Sequence, residues 1–161
     1  NSAHECRTDA DAAPRPMTSV RIEEDHAAGE RERDALLACL REYNHRFMPR
    51  SEPAPLCLFL RDRHGAMLGG LLAETRWHWM FVEALWVSDP LRRRGHGSAL
   101  LAHAEGIAWH RGARKATRDT AEFQARGFYL RHGYSVFAVQ EDLPPDSRRY
   151  FMEKTLQAPV R

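Results

Sequence analysis

The segment Trp79 to Leu101, WMFVEALWVSDPLRRRGHGSALL, constrains this chain more than any other. Trp79, Phe81, Glu83, Leu85 and Val87 alternate with Met80, Val82, Ala84 and Trp86, so apolar side chains stand on both faces. A strand apolar on both sides belongs in the middle of a sheet, covered above and below. Asp89-Pro90 ends it, since proline brings no N–H to a ladder. A loop flanked by glycine follows, and Leu100, Leu101, Ala104, Ile107 and Ala108 then recur at helical spacing up to Arg111-Gly112.

Central strand, glycine loop and helix N-terminus together make an anion site. The first amides of a helix have no partner inside it, and the aligned peptide dipoles add positive charge at that end. Gly95 and Gly97 let the backbone approach a phosphate with no Cβ in the way, the amides of His96 and Ser98 lie beside them, and Arg92, Arg93 and Arg94 add charge. Two other phosphate loops fail on inspection. Gly97 is followed by Ser98-Ala99 instead of Lys-Ser/Thr, and Leu100 stands where a dinucleotide fingerprint needs glycine.

The rest of the chain supplies a mixed α/β sheet around this unit. MTSVRIEE (17–24) reads as a short strand and ERERDALLACLREYNHRF (30–47) as a helix with Leu36, Leu37, Leu40 and Tyr43 on one face. LCLFLRDRHGAMLGGLLAE (56–74) reads as two strands joined through Asp62 to Gly65, with a bulge or close backbone approach at Gly69-Gly70. ARKATRDT (113–120) is a weak strand, AEFQARGFYLRHG (121–133) a short helix, YSVFAVQ (134–140) a strand and RRYFMEKTL (148–156) the last strand. Residues 1–16 carry no apolar period and read as a disordered leader, and 17–161 as a single domain.

Composition bounds the function classes. With 24 Lys plus Arg against 22 Asp plus Glu the net charge is +2, so anion affinity is local, and no wide basic, aromatic-interleaved surface points to nucleic acid. Cys6, Cys39 and Cys57 are odd in number and far apart, which argues against a disulfide framework and a thiolate metal site and suits a reducing cytoplasm. No run approaches the ~20 apolar residues of a membrane helix. His96, His103 and His110 share a helical stripe but lack i, i+4 pairs or carboxylate partners, so no metal is expected.

Arg92, Gly95 and Gly97 match Gln/Arg-x-x-Gly-x-Gly/Ala, and FQARGFYLRHGY matches a second signature of Phe/Tyr, three spacers and Gly-Tyr/Phe. On these two motifs, in order and at the expected separation, the chain from about Met67 to Leu156 resembles the GNAT superfamily of N-acetyltransferases. The resemblance implies a mixed, mostly antiparallel sheet of about six to seven strands with helices on both faces. It also implies acetyl-CoA held in a splay between parallel strands at 79–88 and 113–119, with backbone groups of Leu85, Trp86 and Val87 on its pantetheine arm. The acceptor it implies is an amine-bearing small molecule or peptide, with a homodimer allowed. A catalytically idle acetyl-CoA or CoA sensor of the same fold is the alternative. Two positions depart from the family's pattern: Glu122 stands where many members carry a cofactor-contacting Asn, and Arg118 where the strand is usually apolar, through either a changed register or a frayed strand.

Acetyl transfer needs a neutral amine, whereas an alkylamine with a pKa near ~10.4 is mostly protonated at neutral pH. Glu83 is the ionisable group of the apolar strand, and desolvation there would make its carboxylate a general base; the other reading is a structural or substrate-orienting charge, paired for example with Arg76. The resemblance places Tyr129 beside the leaving thiolate, as acid, against the simpler reading of an aromatic packed next to Phe128. The Val87 N–H is the expected oxyanion donor. Trp77, His78 and Trp79 could line an acceptor pocket or simply pack, and Arg46 and Phe47 follow the helix that usually shapes that pocket in the family.

Overall fold

The computed structural model describes residues 20–27, 29–48 and 51–159. They divide into two compact units, one ending at Arg50 and the other beginning at Ser51. The expected leader, residues 1–16, lies outside the described residues.

The first unit holds helix α1 (Glu30–Asn44). A capping box starts it: the Gly29 N–H donates to Glu32 Oε2 at 3.0 Å, so a donor that the helix cannot satisfy finds a carboxylate one turn on. The strand expected over 17–24 does not form in its described part. Val20 and Ile22 are fully exposed and no neighbouring strand is registered against them, so their backbone has no ladder to join. Cys39 is disulfide-bonded, contrary to the reading of the cysteines as unpaired, while Cys57 is a free, exposed thiol.

The second unit is a six-stranded sheet in the order β1-β2-β3-β4-β6-β5. Its strands are β1 (Ala54–Arg61), β2 (Met67–Arg76), β3 (Trp79–Val87), β4 (Lys115–Ala121), β5 (Ser135–Glu141) and β6 (Arg148–Thr155), with helices α2 (His96–His110) and α3 (Arg126–Arg131) between them. Every pairing is antiparallel except β3 with β4. A parallel pair requires a crossover, and α2 provides it. Leu100, Leu101, Ala104 and Ala108 bury the apolar stripe of α2 against Leu71, Ala73, Met80 and Val82. Lys154 Nζ on β6 reaches Glu105 Oε2 on α2 at 2.6 Å, and the Tyr134 hydroxyl donates to the other Glu105 oxygen at 3.1 Å, tying the helix across the sheet.

Gly69 and Gly70 are explained by crowding. A Cβ on Gly69 would sit 2.8 Å from the Trp86 carbonyl oxygen, and one on Gly70 2.7 Å from that of Leu58. The alternation read for β3 holds only to Val82. Leu72 pairs with Ala84 but Ala73 with Val82, so Glu83 is an extra residue opposite β2, a β-bulge. Beyond it the phase flips: Leu85 and Val87 join Met80 and Val82 on the core side, and Ala84 and Trp86 are exposed. Periodicity alone cannot reveal such a flip, because apolar residues occupy both registers.

Candidate active site

The parallel ladder is short. Trp79, Met80 and Phe81 pair with Lys115, Ala116 and Thr117, after which β3 runs on to Val87 and β4 to Ala121 without pairing with each other. The two strands splay from that point, and the cleft they open holds about 720 Å³, within the common range of small-molecule sites.

One wall is the end of β3 and the glycine loop. Leu85, Trp86, Val87, Arg92, Arg93, Gly95, Gly97 and Ser98 all line the cleft; Arg94 and His96 do not. Gly95 is the N-cap of α2 with φ +84°, a left-handed conformation that glycine adopts without a steric penalty. A Cβ there would meet nothing, so backbone geometry accounts for this glycine. Gly97 differs: its Cβ would point at the Phe128 ring, 3.5 Å away, and begin to fill the cleft. The first helical bond is from Ala99 N–H to the Gly95 carbonyl at 2.9 Å, so the amides of His96, Gly97 and Ser98 precede it at the positive end of the helix. Arg92 turns back to brace the loop, donating to the Val87 carbonyl at 3.0 Å and pairing with Asp89 at 2.9 Å. Ser88 N–H donates to the Leu68 carbonyl on β2 at 2.9 Å. Neighbouring amides alternate along an extended chain, so the Val87 N–H faces the splay.

The other wall is β4 and the turn into α3. Thr120 and Gln124 lock that turn: Gln124 Oε1 accepts from the Ala121 N–H at 3.1 Å, and Thr120 Oγ1 accepts from the Ala125 N–H at 3.3 Å. Gln124 lines the cleft, whereas Glu122 accepts from the Tyr150 hydroxyl at 3.4 Å. Tyr129 is 1% exposed, lines the cleft and packs edge-on against Phe128 at 5.2 Å. Burial raises its pKa above the usual phenol value, and the neighbouring Arg118 opposes that rise.

Arg118 is the residue whose role was not legible. Its strand is neither frayed nor shifted, since β4 pairs with β6 from Lys115–Thr155 through Ala121–Arg149. It lies on the cleft side, and its Nη1 donates to the Val82 carbonyl at 3.2 Å and to the Glu83 carbonyl. Its guanidinium carbon lies 6.0 Å from the Tyr129 ring centroid, and its Nε is buried with no hydrogen-bond partner. An arginine where an apolar residue is usual was the only signal.

Glu83 lacks the apolar surroundings expected of it. It sits on the bulge, exposed and outside the cleft lining, so the desolvation expected of a buried base is absent. Arg76 pairs instead with Glu74 at 3.6 Å. Trp77 and His78 form the exposed β2–β3 turn and, with Trp79, stand outside the lining, while Arg46 and Phe47 belong to the first unit. Among the described residues no group of three or more His, Cys, Asp or Glu could hold a metal ion, and no helix is long and apolar enough to cross a membrane.

A mixed sheet opened by one parallel pair, over a glycine-capped helix, defines an acyl-transferase class of fold. The chain belongs to the acetyltransferase (GNAT) family, whose model matches residues 17–134. It is 39% identical over 93 residues to the blasticidin-S acetyltransferase of Streptomyces morookaense, covering 57% of this chain and 68% of that protein. It is 32% identical over 122 residues to an acetyltransferase of Agrobacterium fabrum, covering 76% and 86%. The crystal structure of an acetyltransferase from Bacillus cereus superposes with a TM-score of 0.77 at 28% identity, covering 83% of this chain and 98% of that one.

Proposed function

We propose that the chain is an acetyl-CoA-dependent N-acetyltransferase in which a primary amine attacks the thioester directly, with no covalent intermediate on the protein. The observation that carries this is the continuity of the cleft from the α2 N-terminus, along the open edge of β3, to Tyr129. When bound, acetyl-CoA supplies the activated acyl group. The first amides of α2 and Arg93 would hold its pyrophosphate, the free edge at Leu85 to Val87 would hold the pantetheine arm, and the Val87 N–H would be the donor for negative charge on the acyl oxygen.

Tyr129 gives its proton to sulfur as the carbon–sulfur bond breaks and the electron pair leaves with sulfur. The acceptor ammonium loses one proton to solvent before it attacks; having gained the acyl carbon, the nitrogen loses a second, and one proton from solvent restores the phenol. Losing such an acid costs ~10²–10⁴-fold in turnover. Glu83, exposed on the bulge, serves as a charge that attracts the cationic amine before it is deprotonated and not as a desolvated base.

Thiol release from acetyl-CoA over an amine panel tests the reading. Blasticidin S heads the panel because a relative at 39% identity is named for it, followed by other amine antibiotics, polyamines, amino acids and peptides. Release with at least one amine, lost in Tyr129→Phe, is expected. Acetyl-CoA binding with silence across the panel would favour the sensor reading.

A further inference from the structure

Arg118 is the first residue of β4 past the parallel ladder, which ends at Phe81 and Thr117. Its side chain is partly buried and lines the cleft at this closed end, whereas α2 starts beyond the far end of β3. Two carbonyls of β3, those of Val82 and Glu83, accept from its Nη1, so the guanidinium is pinned across the gap that the ladder leaves. Nε, by contrast, is buried and finds no hydrogen-bond partner among the described residues. Nε and Nη2 form the side of a guanidinium on which a planar carboxylate seats with two parallel bonds.

Charge sets Arg118 apart as well. Arg76 and Arg149 also carry a buried Nε with no hydrogen bond, yet Arg76 pairs with Glu74 at 3.6 Å and Arg149 with Asp119 at 3.0 Å. Arg118 pairs with no carboxylate among the described residues. Its neighbour Asp119 is engaged by Arg149, and it meets Glu83 through the backbone oxygen, not the carboxylate. A partly buried cation without a counter-ion is costly to a fold, and carbonyl dipoles offset only part of that cost. The coenzyme's own anions, its phosphates, belong to the α2 end of the cleft. The anion that completes Arg118 therefore comes with the reacting groups.

We propose that Arg118 is the seat of a carboxylate at the acyl end of the cleft, borne either by the donor's acyl chain, as in a dicarboxylic acyl-CoA, or by an acceptor that is an amino acid. This rests on the reading above, in which the pantetheine arm lies along Leu85 to Val87 with its thioester toward the closed end. The carboxylate takes no part in bond making, so the transfer itself is unchanged.

Two measurements on the full chain name the source. In the first, calorimetry gives dissociation constants for acetyl-CoA, butyryl-CoA and succinyl-CoA, the last two sharing a four-carbon acyl chain and differing in the terminal carboxylate. If the acyl chain carries the anion, succinyl-CoA binds the wild type at least roughly tenfold tighter than butyryl-CoA, and Arg118→Met brings that ratio to within about threefold of one. The ratio is taken within each protein, so a general change in the cleft cancels. In the second, thiol release from acetyl-CoA gives kcat/KM for L-lysine against cadaverine and for L-tyrosine against tyramine, pairs that differ in the carboxylate alone. If the acceptor carries the anion, the amino acid is favoured at least roughly tenfold, and Arg118→Met removes the preference. Should Arg118→Met bind none of the esters, Arg118→Lys, which keeps the charge without the planar fork, takes its place and cuts the preference at least about threefold.

A preference in either measurement that the Arg118 variant loses establishes the seat. No preference in either for the wild type, silence of both members of a pair counting as none, or a preference that the variant keeps, overturns the inference. Acetyl-CoA binding is read separately, so the proposed transferase stands in that case. Failure of the wild type to bind any of the three esters removes the acetyl-CoA reading and this inference with it.

Discussion

Two glycines two residues apart in one loop are kept for different reasons, and substitution should separate them. Gly95→Ala places a Cβ in a left-handed backbone with nothing around it, so the cost is conformational, about 1–2 kcal/mol in a denaturant melt. Gly97→Val enters a helical turn where a side chain is tolerated, but it fills space beside Phe128. The expected result is at least a roughly tenfold loss of acetyl-CoA affinity by calorimetry with no loss of melting temperature, since glycine is itself a poor helix residue. Glu83→Gln should raise the acceptor's KM more than it lowers kcat, as fits an exposed orienting charge; a kcat loss alone would return Glu83 to the role of base. At this scale the sequence was informative about the glycine loop, where the start of α2 demands a residue free to adopt a left-handed backbone. It did not reveal the exposure of Glu83, because burial depends on which face a strand presents, and a single bulge changes that face.

Elements were largely readable from period and punctuation. The strand–loop–helix unit from Trp79 to Leu101, the hairpin through Asp62 to Gly65 and the closing strands all form close to where alternation and turn residues place them. The strand expected over 17–24 does not form in its described part, since an alternating segment becomes a strand only beside a partner. The link between α2 and β6 was invisible as well, because Glu105 and Lys154 are 49 residues apart and neither spacing nor period relates them. Their side chains are 16% and 19% exposed, and Glu105 also receives the Tyr134 hydroxyl. Glu105→Ala leaves a cation and a phenol without their acceptor in a mostly buried place. A stability loss of about 2–4 kcal/mol in urea is expected, and Glu105→Gln should recover part of it.

For the molecule as a whole, buried phenols set an alkaline limit. Burial raises the pKa of both Tyr129 and Tyr134 above the usual 10.0, and the Glu105 carboxylate pushes Tyr134 further up. Above about pH 10 the unfolded chain releases phenol protons that the native chain retains, so stability falls as pH rises, by about 1.4 kcal/mol per pH unit for each such group. Below that pH the contribution is fully present. Urea melts at a series of alkaline pH values should show this slope, and Tyr134→Phe should lose its share of it. A further consequence lies in the three residue pairs that join β3 to β4. That seam makes the sheet two three-stranded ribbons, β1-β2-β3 and β4-β6-β5, joined at one end like the legs of a compass. A ligand spanning the gap would act as a crosspiece between the legs, and the amides nearest the hinge would be the first to report its arrival by slowing their exchange with solvent.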